Sequence, residues 1–404
     1  MSMKVRALCV ATVLAATLSL AGCGHYTCGA TFGSSSCSGG GGGIGGGGGG
    51  GLSQTVLVYF MVDGAGQTQT GQMALEALNL NNNQIYDGIG GFVSPDFTGA
   101  GGSDGGVVVV GKKYLYVPFS NGAVFSFAIN SSSGALTPIT GTGGTSPFTS
   151  ASGGTSVVAH PSGSFLYVGG SGGVSAFTVN QDGSLTPIGS PYSTGGVTPF
   201  QMSIDGAGKY LYALDGASLS VFGIQSNGSL ALVSGSPFPF SMMQIEPDKS
   251  GAFMVGITGQ TAANSGVGDP TVYVFSVGST GVLTQTNKIT TVNPPAFMQV
   301  DAGGSFVYTF NQTDFGATAP SQPMEGFSLS SGTLTALPAT SFSQLDAAMG
   351  KIDQAGLYIF AAAQIPSTDI GGTFVYGINN DGSLSNTIGH AGTPSASYAV
   401  TDEP

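Results

Sequence analysis

Short apolar runs separated by turn residues recur along most of this chain, and the clearest unit spans residues 164–188. There Phe165–Val168, Val174–Val179 and Ser184–Ile188 are divided by Gly-Gly-Ser-Gly-Gly and by Asn-Gln-Asp-Gly. β-branched and aromatic residues alternating with small or polar ones, bounded by Gly, Asn and Asp, predict strands joined as hairpins. Just upstream, Ser156-Val-Val-Ala-His160 supplies a fourth run that closes in the turn Pro-Ser-Gly. Four strands in about 45–50 residues is the size of a propeller blade, which must stack on neighbours to bury its faces.

The neighbours can be followed through the chain. Second strands are expected at Val56–Val62, Tyr114–Val117, Phe165–Val168, Tyr210–Ala213, Phe253–Ile257, Phe306–Phe310 and Leu357–Ala361, which makes seven. Third strands follow, from Met73–Leu80 to Phe374–Ile378. Met73–Leu80 would read as a helix by propensity alone, but its place in the repeat assigns it to a strand. Fourth strands are carried by segments such as Ser184-Leu-Thr-Pro-Ile, Ser229-Leu-Ala-Leu-Val and Ser383-Leu-Ser-Asn. The hairpin before each ends in Gly134, Gly183, Gly228, Gly281, Gly332 or Gly382, where glycine supplies a positive φ. First strands end in acidic turns read at Ile204-Asp205, Ile245-Glu246, Val300-Asp301 and Ile352-Asp353. The chain starts its repeats at a second strand and finishes with one more first strand, Tyr398-Ala-Val-Thr-Asp402. The expected fold is therefore all-β, a seven-bladed propeller over residues 53–404 with four-stranded antiparallel blades. Its ring is closed by the C-terminal strand, which leaves no open sheet edge between first and last blades.

Composition fits that picture. Of 404 residues, 70 are Gly, none is Trp and only 7% are charged, which leaves a choice between disorder and a turn-dense β protein. The positive mean hydropathy and the regular Val, Phe, Tyr and Leu decide for the second. Net charge is −12, and it becomes −14 without Lys4 and Arg6, after which no Arg remains. Such a surface repels phosphate backbones, so nucleic acid is not an expected partner.

Residues 1–22 carry a basic start, Lys4 and Arg6, and an apolar stretch too short to span a membrane. They end in Leu20-Ala21-Gly22-Cys23, which resembles a bacterial lipobox. The resemblance implies a cleaved lipoprotein signal peptide, lipidation of Cys23 and an envelope location, at the outer membrane, facing the periplasm or the exterior. Residues 23–52 are a Gly/Ser-rich tether in which Cys28 and Cys37 are candidates for a disulfide. A metal site from His25, Cys28 and Cys37 is the competing idea, but its spacing matches no zinc pattern.

The pattern Asp205-Gly-Ala-Gly-Lys-Tyr-Leu-Tyr-Ala and its counterpart His160-Pro-Ser-Gly-Ser-Phe-Leu-Tyr-Val carry a wider resemblance. Followed by Gly-Ser-Leu-Thr-Pro-Ile, they resemble the lactonase-type seven-bladed propellers. These include the bacterial 6-phosphogluconolactonases and the YVTN-repeat surface proteins. The resemblance covers about residues 53–404 and implies His, Arg and Glu side chains working at the mouth of the central funnel. The chain departs from this by having no Arg beyond Arg6, so the cationic clamp expected for a phosphorylated lactone is missing.

Candidate chemistry lies in the loops. His390, in Ile388-Gly-His-Ala-Gly-Thr-Pro394, is expected on a loop after the last fourth strand and is the acid–base candidate, with Asp314 or Asp369 as its partner. His160 stands where other blades have a turn Asp, and capping explains it. The loops between second and third strands are long in the last three blades, and four consecutive blades place Asp215, Asp269, Asp314 and Asp369 there. That acidic rim could hold Ca²⁺, while solvated loop carboxylates are the plainer reading, and no other cofactor is expected. Phe200, Phe240 and Phe297 precede first strands, where they could stack on a ligand or pack between blades. These features favour a monomeric, lipid-anchored propeller that binds an envelope protein or glycan, approached over the long loops of blades five to seven. A lactone hydrolase is the alternative, and a structural surface-coat component is the second alternative.

Overall fold

The computed structural model describes residues 55–62, 72–79, 84–87, 95, 97, 106–131, 133–150, 153–258, 269–311, 323–338, 346–353, 355–365, 370–385, 389–391 and 397–400. The leader, the tether and their cysteines, Cys9, Cys23, Cys28 and Cys37, lie outside the described residues, as do Asp314 and Asp369.

Among the described residues, seven antiparallel sheets of four or five strands follow one another along the chain. Blade 3 shows the order from inside to outside: Ser156–Ala159, Phe165–Gly170, Gly173–Val179 and Leu185–Pro187. The innermost strands Val108–Val110, Ser156–Ala159, Gln201–Ile204, Gln244–Pro247, Phe297–Val300, Asp346–Ile352 and Ser397–Val400 adjoin in turn and close on themselves as a ring. Blade 1 is composite. Ser397–Val400 from the C-terminal end pairs with Thr55–Val62, with Met61 opposite Ser397 and Val58 opposite Val400. Gln72–Asn79 and Gln84–Asp87 complete that blade, so the segment of high helix propensity is a strand. Pairing on both edges supplies the hydrogen bonds that a lone helical turn would have had to make by itself.

Blade 7 departs from the expected spacing. Leu384 makes only an isolated bridge to Ile378, and the outermost strand is Gly389–Ala391, paired with Thr373–Val375. His390 is therefore a strand residue rather than a loop residue.

The core is divided into layers between blades. Tyr167, Val174 and Ala176 of blade 3 pack on Met202, Ile204, Leu211 and Phe222 of blade 4, and similar clusters recur around the ring. Each layer is keyed by a hydrogen bond. A buried tyrosine of the second strand donates its hydroxyl to the hairpin glycine carbonyl of the next blade. The pairs are Tyr59 to Gly134 at 2.7 Å, Tyr116 to Gly183 at 2.8 Å and Tyr167 to Gly228 at 3.0 Å. Tyr212 to Gly281 at 3.0 Å and Tyr308 to Gly382 at 2.8 Å continue the series. Burial pushes all five phenols well above their ordinary range, so they stay protonated donors. Val255 and Phe360 occupy the equivalent positions in blades 5 and 7 and pack without a hydroxyl.

The hairpin glycine is required twice over. Gly183 has φ +80°, and a Cβ there would come within 2.5 Å of the Tyr114 ring of the preceding blade. Removing the oxygen from Tyr116 leaves the buried Gly183 carbonyl without its donor, so Tyr116→Phe should cost about 1–3 kcal/mol in urea unfolding. Gly183→Ala should cost more, because backbone strain and collision with Tyr114 add to one another. Equal stability of Tyr116→Phe and the parent would remove the hydrogen bond from this account.

Candidate functional site

The turn after each innermost strand sets the register of the site. Asp205 accepts the backbone N–H groups of Lys209 and Tyr210 at 2.6 Å, and Asp301 accepts those of Ser305 and Phe306 at 2.6 Å. Asp353 does the same for Leu357 and Tyr358 at 2.7 Å. In blade 3 His160 takes the place of Asp. Its Nε2 lies 2.9 Å from the Gly208 carbonyl, which can only accept, so Nε2 carries the proton and Nδ1 accepts from Ser162 N at 3.1 Å. His160 is thus a turn residue that also ties blade 3 to blade 4.

In blade 5 the turn residue is Asp248, which accepts Phe253 N at 2.9 Å. The acidic turn expected at Ile245-Glu246 is therefore displaced by two residues. Glu246 stands inside the strand Gln244–Pro247, on the same face as Gln244. The signal was present in the sequence: Asp248-Lys-Ser-Gly251 repeats the spacing of Asp205–Gly208 and Asp301–Gly304, which leaves Glu246 as a carboxylate with no turn to cap.

The ring of innermost strands surrounds a cavity of about 730 Å³ that runs to the turns between first and second strands, at Pro161, Gly206, Asp248 and Ala302. Residues two places before the turn, in blades 2 to 7, are Val108, Val158, Ser203, Glu246, Gln299 and Lys351. All but Gln299 line the cavity. Glu246 is held on three sides. Its Oε2 accepts Val300 N at 2.9 Å, and its Oε1 accepts Gln244 Nε2 at 3.0 Å and the Gln299 amide. A carboxylate has about four acceptor sites, so one on Oε2 stays open. Burial pushes the Glu246 carboxyl above the ordinary glutamate range. The Lys351 ammonium and the three hydrogen bonds pull it down without cancelling that effect.

The surrounding amides are fixed by the backbone edges they satisfy. Gln201 Nε2 donates to the Ile245 carbonyl at 3.1 Å. Gln244 Oε1 accepts Met298 N at 2.9 Å while its Nε2 donates to Met298 O at 2.7 Å. Ser156 Oγ accepts Met202 N at 3.0 Å. The inner edges of these strands face the cavity, and side chains of the preceding blade supply the bonds that a further strand would otherwise make.

Most of the described residues singled out from the sequence lie outside this cavity. His390 is on the outermost strand of its blade, three strand spacings, or about 14 Å, from the innermost one. Asp215 caps a turn by accepting Ala217 N at 2.9 Å and Ser218 N at 2.7 Å. Asp269 accepts Thr271 Oγ1 at 2.7 Å and the Tyr273 hydroxyl. Among the described residues no group of three His, Cys, Asp or Glu gathers to hold a metal ion. Phe240 packs against Phe275 with ring centroids 5.1 Å apart, and of Phe200, Phe240 and Phe297 only Phe297 reaches the cavity. A half-buried carboxyl, Glu325, accepts Val292 N at 2.9 Å and Asn311 Nδ2 at 3.1 Å and so ties the segment after blade 5 to blade 6.

Comparison with known proteins agrees with this architecture. The family described as "Lactonase, 7-bladed beta-propeller" matches residues 115–236 and 254–397. No curated protein matches the sequence. Among solved structures, the periplasmic gluconolactonase of Pseudomonas aeruginosa superposes with a TM-score of 0.63 at 16% identity, over 87% of this chain and 100% of that one. A protein from Lactobacillus plantarum gives 0.60 at 14% identity, over 86% and 98%. A putative 6-phosphogluconolactonase from Bacteroides uniformis gives 0.58 at 17% identity, over 86% and 99%. At these identities the likeness is one of fold.

The raised Glu246 carboxyl has a thermodynamic consequence. The folded state holds this proton more tightly than the unfolded chain. The associated stability is full below the unfolded glutamate value of 4.5 and is lost as pH rises through the folded value. Glu246→Gln lacks that loss. Its stability relative to the parent, measured by urea unfolding from pH 4 to pH 8, should therefore rise with pH, and a difference that shrinks with pH would contradict the assignment.

Proposed function

The chain belongs to the family of seven-bladed β-propeller lactonases, and on that premise we propose that it hydrolyses an uncharged lactone in its central channel, with Glu246 as general base. The observation that carries this reading is the placement of Glu246 in the cavity, with one acceptor site open on Oε2 and the Lys351 ammonium nearby. The binding or scaffolding role expected from the sequence has less support, because the family and the gluconolactonase-like neighbours favour the hydrolase alternative.

In the proposed reaction the Glu246 carboxylate takes a proton from a water molecule as the water oxygen adds to the lactone carbonyl. Negative charge collects on the carbonyl oxygen, and Lys351 is the cation available to stabilise it. Collapse of the tetrahedral intermediate breaks the ring C–O bond. The departing alkoxide recovers the proton from Glu246, which leaves a hydroxy acid and restores the carboxylate. Burial makes Glu246 a stronger base than a solvated glutamate, at the cost of a higher pH for its ionisation.

The leader and tether support an exported enzyme held at the envelope by a lipid on Cys23, with the Gly/Ser-rich residues 24–52 as a spacer. A periplasmic setting accords with the periplasmic gluconolactonase among its structural neighbours.

Glu246→Gln should lower kcat on a neutral lactone by about 10²–10⁴-fold, the range for loss of a general base, and full activity in that variant would overturn the reading. The parent's kcat should rise with pH above the ordinary glutamate range. Lys351→Met removes the charge that favours the carboxylate, so the rising limb should move to higher pH, and a shift to lower pH would contradict the role given to Lys351.

A further inference from the structure

The channel is two-sided, and its sides differ in chemistry. Blades 4, 5 and 7 present Gln201, Ser203, Gln244, Glu246 and Lys351, while blade 6 adds the apolar Phe297 and Val300 beside Asp301. Blades 2 and 3 present Val107–Val110 and then Val157, Val158 and Ala159, an apolar wall bounded on blade 3 by Ser156 and His160, whose polar atoms bond to Met202 N and the Gly208 carbonyl. Val108, Val109, Val157 and Val158 are only half-buried. Part of each packs into the layers between blades, and the remainder faces the cavity. In a seven-membered ring, blades 2 and 3 stand across the axis from blades 5 to 7, so the valine wall faces Glu246 and Lys351.

Size and charge narrow the ligand further. At about 730 Å³ the cavity is in the range that encloses a drug-sized molecule, more than a six-carbon sugar lactone would fill. Its lining carries the carboxylates Glu246, Asp248 and Asp301 against the ammonium groups Lys249 and Lys351. No net positive field is there to receive a phosphate, and no arginine fork is available in residues 7–404.

We propose that the channel takes an uncharged lactone bearing an apolar substituent of several carbons, its carbonyl toward Glu246 and Lys351 and its substituent along the valine wall. This rests on the hydrolase reading for the reaction but on the cavity alone for the ligand class. Apolar wall left open to water in a confined channel is covered by a hydrocarbon chain at no polar cost, whereas sugar hydroxyls placed there would lose their hydrogen bonds.

The test uses purified full-length protein and four lactones: δ-valerolactone, the pentyl-substituted δ-decalactone, glucono-δ-lactone and its 6-phosphate. The expected kcat/KM for δ-decalactone is at least about 10-fold above that for δ-valerolactone, since each methylene placed in a fitting apolar pocket brings a substantial factor. Val158→Thr and Val108→Thr, which keep shape and add a hydroxyl, should each reduce that ratio several-fold. Preference for glucono-δ-lactone or its phosphate over δ-decalactone would overturn the inference and leave the hydrolase reading standing. A calorimetric arm compares cyclohexanone with 4-pentylcyclohexanone, a ketone that cannot be hydrolysed. Tighter binding of the pentyl ketone, weakened by Val158→Thr, with no lactone turned over, would retain the ligand class and discard hydrolysis. If the pentyl chain improves neither turnover nor binding, the inference fails.

Discussion

The hydrogen bond from a buried tyrosine to the hairpin glycine of the next blade is the contact on which the ring depends. Five such bonds each join one sheet to its successor at a distance where the glycine has no room for a side chain. A propeller must set the angle between rigid sheets around a closed circle, and apolar packing alone is indifferent to small slides. A directional bond between a stiff ring and a backbone carbonyl fixes both depth and rotation. The interfaces after blades 5 and 7 lack the hydroxyl, and the second of these is where the C-terminal strand completes blade 1 through backbone pairing.

Closing the circle creates the channel, and the channel creates its own problem. Seven innermost strands turn an unpaired backbone edge toward a space too narrow for another strand. Ser156, Gln201 and Gln244 answer it by bonding to the next blade's backbone. Glu246 belongs to the same series, since Val300 N is one of its donors, but it carries a charge and retains an open acceptor site. A structural solution at the ring's inner edge thus carries an ionisable group where Glu246 replaces a neutral side chain.

The surface of that channel is graded by position in the chain. Valine dominates the site-facing places of blades 2 and 3, and Ser203, Glu246 and Lys351 fill those of blades 4, 5 and 7. The blades share one backbone plan, and the part of each valine that is not packed between blades is available to ligand selection. This asymmetry accords with the scarcity of cations in the chain, which leaves electrostatic capture of an anion with little support.

Much of this was legible before the fold was known. The two-residue alternation, the glycine that ends each third hairpin, and the orphan strand at the C-terminal end determined an all-β ring of seven blades and how it closes. Each is a local signal repeated until chance is excluded. The site was not legible in the same way. His390 and the loop aspartates stood out because they are chemically distinctive, yet His390 lies on an outer strand, and Asp215 and Asp269 are occupied by local hydrogen bonds. Glu246 reads in the sequence as one more turn residue, although Asp248 fills that turn. Only the tertiary structure brought it beside Gln299 and within reach of Lys351, from strands about 50 and 100 residues away in the chain. Local spacing decides which residues form a strand. Which strands face one axis is settled by the closure of the ring, and a shared channel exists only after that closure.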